Sequence, residues 1–453
     1  MGKVKDLTTG NPVKLMLSYS IPVLLGNIFQ QIYNFTDTVI VGQCLGSSAL
    51  AAVGTTGAMF FLVNGFVIGI TSGFSVHIAQ CFGAGDHKTM RKSLFNAMVL
   101  WSVITVILTA VSIAITVPVL KLMNTPDSLM DAAYQYIVII FAGIFAPMLY
   151  NAVSCVLRAV GDSKTPLYFL ILSALLNIGL DLLFIIPFKM GIAGAAWATI
   201  LAQFIAGMAC FIYTKKRFAM LNTKKEDRKL DLRIVLNHIK IGIPMAFQFS
   251  VTAIGAIILQ SAINVFGENH IAAFTASIKT EQIIVQVGIS AGVTTANYVG
   301  QNYGASKYDR IRSGVWKWAL CIGIAAVVCM GIIFAFGEPL SSMFIKGKNK
   351  EIVDLAVMYL RTTVVFYIPF FMIFVFRNAL QAMGRTFIPL LAAFLELVGR
   401  TVVAFTLPDV IGYKGICYAG PAAWILSAVP LIVAFTICMK IYKKKGYFDN
   451  KTC

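Results

Sequence analysis

A chain of 453 residues with 58% hydrophobic and 12% charged side chains and a mean hydropathy of +0.81 would expose more apolar surface as a soluble globule than water tolerates. Those figures imply an integral membrane protein. The formal net charge of +18 lies largely in loops beside apolar runs, which points to anionic lipid as the partner and excludes a nucleic-acid role.

Twelve apolar runs predict helices at 13–41, 48–80, 91–120, 129–157, 165–187, 191–214, 234–266, 271–300, 308–336, 352–380, 388–408 and 414–440. Their length fits an all-α membrane protein, because barrel strands would be shorter and alternate in polarity. The first 14 residues are largely polar and the first run is too long for a signal segment, so the first helix is expected to stay in the mature protein. The shortest connections are expected near Gly191 and at 267–270. Of the 37 Lys and Arg, 25 lie in or beside loops on the side of both termini and 6 on the opposite side, which predicts cytoplasmic termini in an inner (plasma) membrane. The basic stretch 215–233 reads as a solvated tether between an N-lobe, 1–214, and a C-lobe, 234–453. The nine cysteines form neither a disulfide framework nor a CxxC pair.

The two halves repeat at an offset of about 221 residues. Gln80, Gly83, Ala84 and Arg91 recur as Gln301, Gly304, Ala305 and Arg312; Gly161 and Pro166 recur as Gly384 and Pro389; Ile21-Pro22 recurs as Ile243-Pro244. Six helices per repeat give both halves the same orientation, so the fold class is two pseudo-symmetric six-helix bundles, the arrangement of alternating-access carriers.

Charge inside the spans is scarce. Between Lys14 and Asp86 the only formally charged residue is Asp37, and between Lys164 and Lys189 it is Asp181. A carboxylate at the centre of a span costs roughly 2.5 to 3.5 kcal/mol on insertion scales, so two retained acids point to ion-coupled transport. Tyr33 and Asp37 stand four apart on one helix face, as do Asn177 and Asp181. Pro22 permits a bend below Asp37. Thr199 offers a hydroxyl and Asn151 a further amide. Carboxylates, amide and hydroxyl are hard oxygen ligands suited to Na⁺ or to a shared proton. In the second half Glu396 and Arg400 are four apart and are expected to pair, Glu281 is open to a coupling or structural role, and Arg361 and Arg377 are expected to snorkel. No P-loop, HExxH or nucleophile elbow is present, which argues against an ATPase or an enzyme, and no cofactor is expected beyond the coupling ion.

These motifs, in this order and duplicated, resemble the multidrug and toxic compound extrusion (MATE) family: Ile21-Pro22 through Asp37, Gln80-x-x-Gly83-Ala84, Leu157-Arg158-Ala159-Val160-Gly161-Asp162, Asn177-x-x-x-Asp181 and Gln301-Asn302-x-Gly304-Ala305. The resemblance implies export of organic, often cationic, small molecules in exchange for H⁺ or Na⁺ by a protein expected to be monomeric. Within the family the chain looks like the branch named after a DNA-damage-inducible membrane protein (protein F). That branch implies an ion site at Asp37, Asn177, Asp181 and Thr199, with Pro22, Tyr33 and Asn151 as companions. Thr252 and Asn378 stand where the other main bacterial branch has acids, which argues against a Na⁺ site in the C-lobe. The alternative reading is a flippase for lipids or lipid-linked saccharides; it would call for a cationic cavity, whereas the N-lobe spans carry acids.

Overall fold

Glycine and proline divide this chain into its spans. The computed structural model describes residues 5–123, 125–345 and 349–447. Helix α1 runs over Pro12–Gly83, 72 residues, which at 1.5 Å per residue is more than three times the thickness of a bilayer core. Gly46, with φ 85° and ψ 179°, divides it into two arms, 12–45 and 47–83. That single residue is a shorter connection than those expected near Gly191 and at 267–270.

There follow α2 (His87–Leu122), α3 (Asp127–Ala142), α4 (Phe145–Ala159), α5 (Lys164–Ile185) and α6 (Gly191–Arg217). The second half comprises α7 (Leu232–Asn264), α8 (Glu268–Gly304), α9 (Tyr308–Ser342), α10 (Lys350–Val364), α11 (Tyr367–Ala382) and α12 (Phe387–Thr406). Two short turns, α13 (Pro408–Ile411) and α14 (Tyr413–Cys417), lead to α15 (Ala419–Lys444). The runs predicted as single helices at 129–157 and 352–380 are bent pairs. Helices α3 and α4 meet at 44°, α10 and α11 at 53°. Pro147 and Pro369 stand near the start of each second arm, where the missing N–H removes a bond to the preceding turn. With the arms of α1 taken separately and each bent pair taken as one crossing, the spans number twelve among the described residues.

The chain divides into two compact units. Unit 1 holds 5–6 and Leu25–Phe249, and unit 2 holds Leu7–Leu24 and 250–447. The start of α1 thus belongs with the second half and the start of α7 with the first. Within unit 1 the second arm of α1 lies backbone to backbone on α7: a Cβ on Gly73 would strike Gly242, and one on Gly69 would strike Ala246. Small residues four apart on both helices permit that approach. Large side chains such as Val106, Ile107, Leu320 and Ile324 remain exposed, as suits a hydrocarbon surround.

The stretch 215–233 departs from its reading as a solvated tether. Phe218 and Leu221 are buried in the core of unit 1, and Arg91 Nε donates to Asp227 Oδ2 at 2.7 Å. The Asn96 side chain donates to the Lys229 carbonyl and accepts from the Asp231 amide. Burial by itself raises the Asp227 carboxyl, but the Arg91 guanidinium and the Lys224 amide outweigh it and hold it below the ordinary carboxylate range. Unit 2 has its own docked segment. Gln301 and Asn302 bind the amide and carbonyl of the buried Leu7, and Arg310 donates to the Gly10 carbonyl.

Candidate functional site

Unit 1 gathers the predicted ion-site residues from three helices. The first arm of α1 supplies Tyr33 and Asp37, α5 supplies Asn177 and Asp181, and α6 supplies Thr199. Asn177 and Asp181 are fully buried, and Tyr33 and Thr199 nearly so. The α5 pair faces inward because four residues close one helical turn, while Leu175, Leu182 and Leu183 face outward.

Asn177 Nδ2 donates to Thr199 Oγ1 at 3.4 Å, and that hydroxyl donates to the Ala195 carbonyl at 3.1 Å. The Tyr33 phenol is hydrogen-bonded to Thr199. The carboxyl groups of Asp37 and Asp181 are themselves in hydrogen-bonding contact. Two carboxyl groups this close repel each other when both are ionised, and a proton or a small cation relieves that repulsion. The other Asp37 oxygen, Oδ1, is buried without a hydrogen-bond partner. An acceptor in that condition, with a second carboxyl beside it, is equipped to take up a proton or a small cation.

The remaining predicted residues are placed differently. Asn151 directs its amide to the Pro147 carbonyl of its own helix at 2.8 Å, so it is tied to α4 and not to the acids. Pro22 lies within α1 in the stretch assigned to unit 2, three residues before unit 1 resumes at Leu25, and the non-helical dihedrals of α1 fall at Gly46. One participant is absent from the sequence reading: Tyr136 of α3, buried and close enough to both Asp37 and Asp181 to feel their charge. No spacing relates α3 to α1 or α5, so only packing reveals it.

In unit 2 the expected Glu396–Arg400 pair is a triad. Glu396 Oε1 accepts from Arg400 at 3.0 Å and Oε2 from Arg377 at 3.1 Å. Arg377 was expected to snorkel, but its side chain is only 12% exposed because it is held by Glu396. Arg361 is exposed as expected and lies over the Phe334 ring. Glu281 is buried and accepts from the Tyr367 phenol at 3.3 Å. A cavity of about 650 Å³ is an open recess of unit 2 lined by Asp354, Arg361, Lys414 and Tyr418, and none of the predicted site residues lines it. The acid pair marks the functional site better than this recess, because ionisable groups enclosed at membrane depth are kept at a cost.

Twelve crossings in two repeated halves, with acids enclosed among the helices of one, define a multi-pass membrane transporter. The MatE family model matches residues 22–183 and 244–406, one match in each half. The probable multidrug resistance protein YpnP of Bacillus subtilis is 31% identical over 384 residues, covering 84% of this chain and 85% of its own length. YoeA of the same organism, also a probable multidrug resistance protein, is 28% identical over 95% of this chain and 94% of its own. The fold is that of a MATE crystal structure in complex with MaL6, with a TM-score of 0.91, 21% identity, and coverage of 98% of this chain and 100% of that one. The chain belongs to the MatE family of multidrug efflux transporters.

Proposed function

We propose that this protein is an antiporter that exports organic, often cationic, compounds in exchange for an ion taken up at Asp37 and Asp181. The observation that carries the proposal is the meeting of the Asp37 and Asp181 carboxyl groups, brought together from α1 and α5 within unit 1. Of the two candidate ions, a carboxyl pair suits a shared H⁺, while the unpartnered Asp37 Oδ1 leaves an acceptor open to Na⁺. Binding the ion neutralises the site, and loss of the ion restores a repulsive pair of carboxylates that draws in a cation. Tyr33 and Thr199 position Asp37 through the α1–α6 contact, and Pro22 gives α1 a place to flex as the site is neutralised.

The energy is adequate. One charge moving inward supplies about 2.3 kcal/mol per 100 mV, and a tenfold gradient adds about 1.4 kcal/mol. The distribution of Lys and Arg supports placement in the inner membrane with cytoplasmic termini and anionic lipid beside the basic loops. The protein works as a monomer, since the proposed site is complete within one chain.

The test is uptake of a fluorescent organic cation into inverted vesicles, with proton and Na⁺ gradients imposed separately. Accumulation under one gradient, lost in Asp37→Asn, identifies an antiporter and its ion. Wild-type rates in correctly inserted Asp37→Asn and Asp181→Asn would sink the scheme.

A further inference from the structure

The open recess of unit 2 is built from residues that the acid site does not use. Asp354, Arg361 and Val365 stand seven and then four apart, which puts them on one face at α10, and Lys414 and Tyr418 line the recess from the stretch 413–418. Asp354, Arg361 and Lys414 are exposed, and among the described residues none of the three is in an ion pair. The backbone positions of Asp354 and Arg361 lie about 10 Å apart along the helix, too far for a direct pair. Arg361 instead sits 6.0 Å from the centroid of the Phe334 ring and donates to the Phe334 carbonyl at 3.4 Å, which fixes its guanidinium at the wall of the recess.

These groups are ordered by depth. The bent crossing of α10 and α11 holds about 50 Å of helix against a hydrocarbon core of about 30 Å, so the first turns of α10 stand among lipid headgroups. Asp354 lies in those turns, Arg361 about two turns deeper, and Val365, Phe366 and Tyr418 at the bend. Val365 and Ile368 at the bend are exposed, so the floor of the recess continues as apolar surface. A guanidinium at the depth of Arg361 is costly unless an anion or water meets it. Read inward, the recess offers a carboxylate, two cations and an apolar floor. An aminophospholipid read from its headgroup offers an ammonium, a phosphate and acyl chains. A volume of about 650 Å³ has room for such a headgroup.

We propose that this recess binds one phosphatidylethanolamine-type lipid, its phosphate held by Arg361 and Lys414 and its ammonium by Asp354. The lipid bridges α10 and the stretch 413–418 and braces the first arm of the bent crossing. Resting on the cytoplasmic placement of the termini, the occupied leaflet is the outer one. Binding itself does not depend on that placement, nor on the antiport reading.

The test is native mass spectrometry of the full chain in detergent, titrated with phosphatidylethanolamine, phosphatidylcholine and phosphatidylglycerol carrying the same chains. The expected result is one retained phosphatidylethanolamine, bound about tenfold more tightly than phosphatidylcholine, whose quaternary ammonium cannot donate a hydrogen bond to Asp354. Arg361→Gln and Lys414→Gln should each weaken that binding about tenfold, the loss of one charge-assisted hydrogen bond. Lys350→Gln, at the same end of α10 but outside the recess, should leave it unchanged. Asp354→Lys should reverse the preference, so that phosphatidylglycerol is retained over phosphatidylethanolamine, which a misfolded variant would not do. Equal retention of the three lipids by wild type, or a preference for phosphatidylglycerol in wild type, would overturn the proposal. So would equal losses in Lys350→Gln and Lys414→Gln, which would mean that surface charge in general attracts the lipid, or an unchanged preference in Asp354→Lys.

Discussion

Unit 1 encloses two carboxyl groups in contact, whereas unit 2 has Leu259 and Ala404 at the corresponding positions and encloses two guanidiniums around one carboxylate. The framework around both is shared: turn glycines at Gly161 and Gly384, both with positive φ, and bends with Pro147 and Pro369 beside them. The difference teaches that duplication preserved what determines backbone path and released what determines interior charge. Gly161 illustrates the constraint, since it has φ 88° and a Cβ there would collide with the Lys5 carbonyl. An interior polar group, by contrast, needs only a partner, and many pairings satisfy that need.

The comparison breaks most visibly at Glu396. Glu396→Ala removes the carboxylate that Arg377 and Arg400 share and is expected to cost about 3 to 5 kcal/mol of stability, read as a lower melting temperature in detergent. Its counterpart position in unit 1 is Ser173, and Ser173→Ala should cost far less; a similar loss at both would mean that the charges of unit 2 are incidental.

Next is the acid pair. Asp37→Asn is expected to slow gradient-driven accumulation roughly a hundredfold, equivalent to about 2.7 kcal/mol of lost coupling. Leu259, in the same register, offers the control: Leu259→Asn should perturb packing while gradient dependence survives.

The docked segments of the two units supply a pH test. Asp227 has a depressed carboxyl pKa, so its contribution to holding 215–233 on α2 is complete above the ordinary Asp range near pH 4 and is lost as pH falls through the lower folded value. Asp227→Asn should therefore raise the rate of tryptic cleavage in this stretch about tenfold at pH 7, while the variant's cleavage relative to wild type should not change between pH 7 and pH 5.5. A marked rise in wild-type cleavage already at pH 5.5, under the same protease calibration, would count against the ion pair as its anchor.

The smallest effect is expected at Gly255. Gly255→Ala puts a methyl group within 3.3 Å of Arg400 Nη1, and it is expected to lower the melting temperature only slightly, at a cost of about 1 kcal/mol. No change at all would mean that the guanidinium relaxes away from α7.

Much of this was open to reading from the residues. Asp37 and Asp181 stand out as lone charges in apolar runs, and the repeat follows from loop motifs at a nearly constant offset. The bends were legible in principle, because Pro147 and Pro369 recur together, but apolar composition alone reads straight through them. The docking of 215–233 was hidden by its basic composition, which resembles a solvated loop until Phe218 and Leu221 are seen in the core. Arg377 was unreadable, because it is nineteen residues from Glu396 and no helical spacing relates α11 to α12.

The sequence by itself determined the number of apolar segments, their parallel repetition and the identity of the enclosed acids. Those properties depend on composition and on contacts within one helix turn. Only the tertiary structure decided that Asp37 meets Asp181, that Tyr136 lies beside both, and that unit 2 gathers two arginines on one glutamate. These are meetings between helices far apart in the chain, set by how small and large side chains pack. Local periodicity carries no information about that packing.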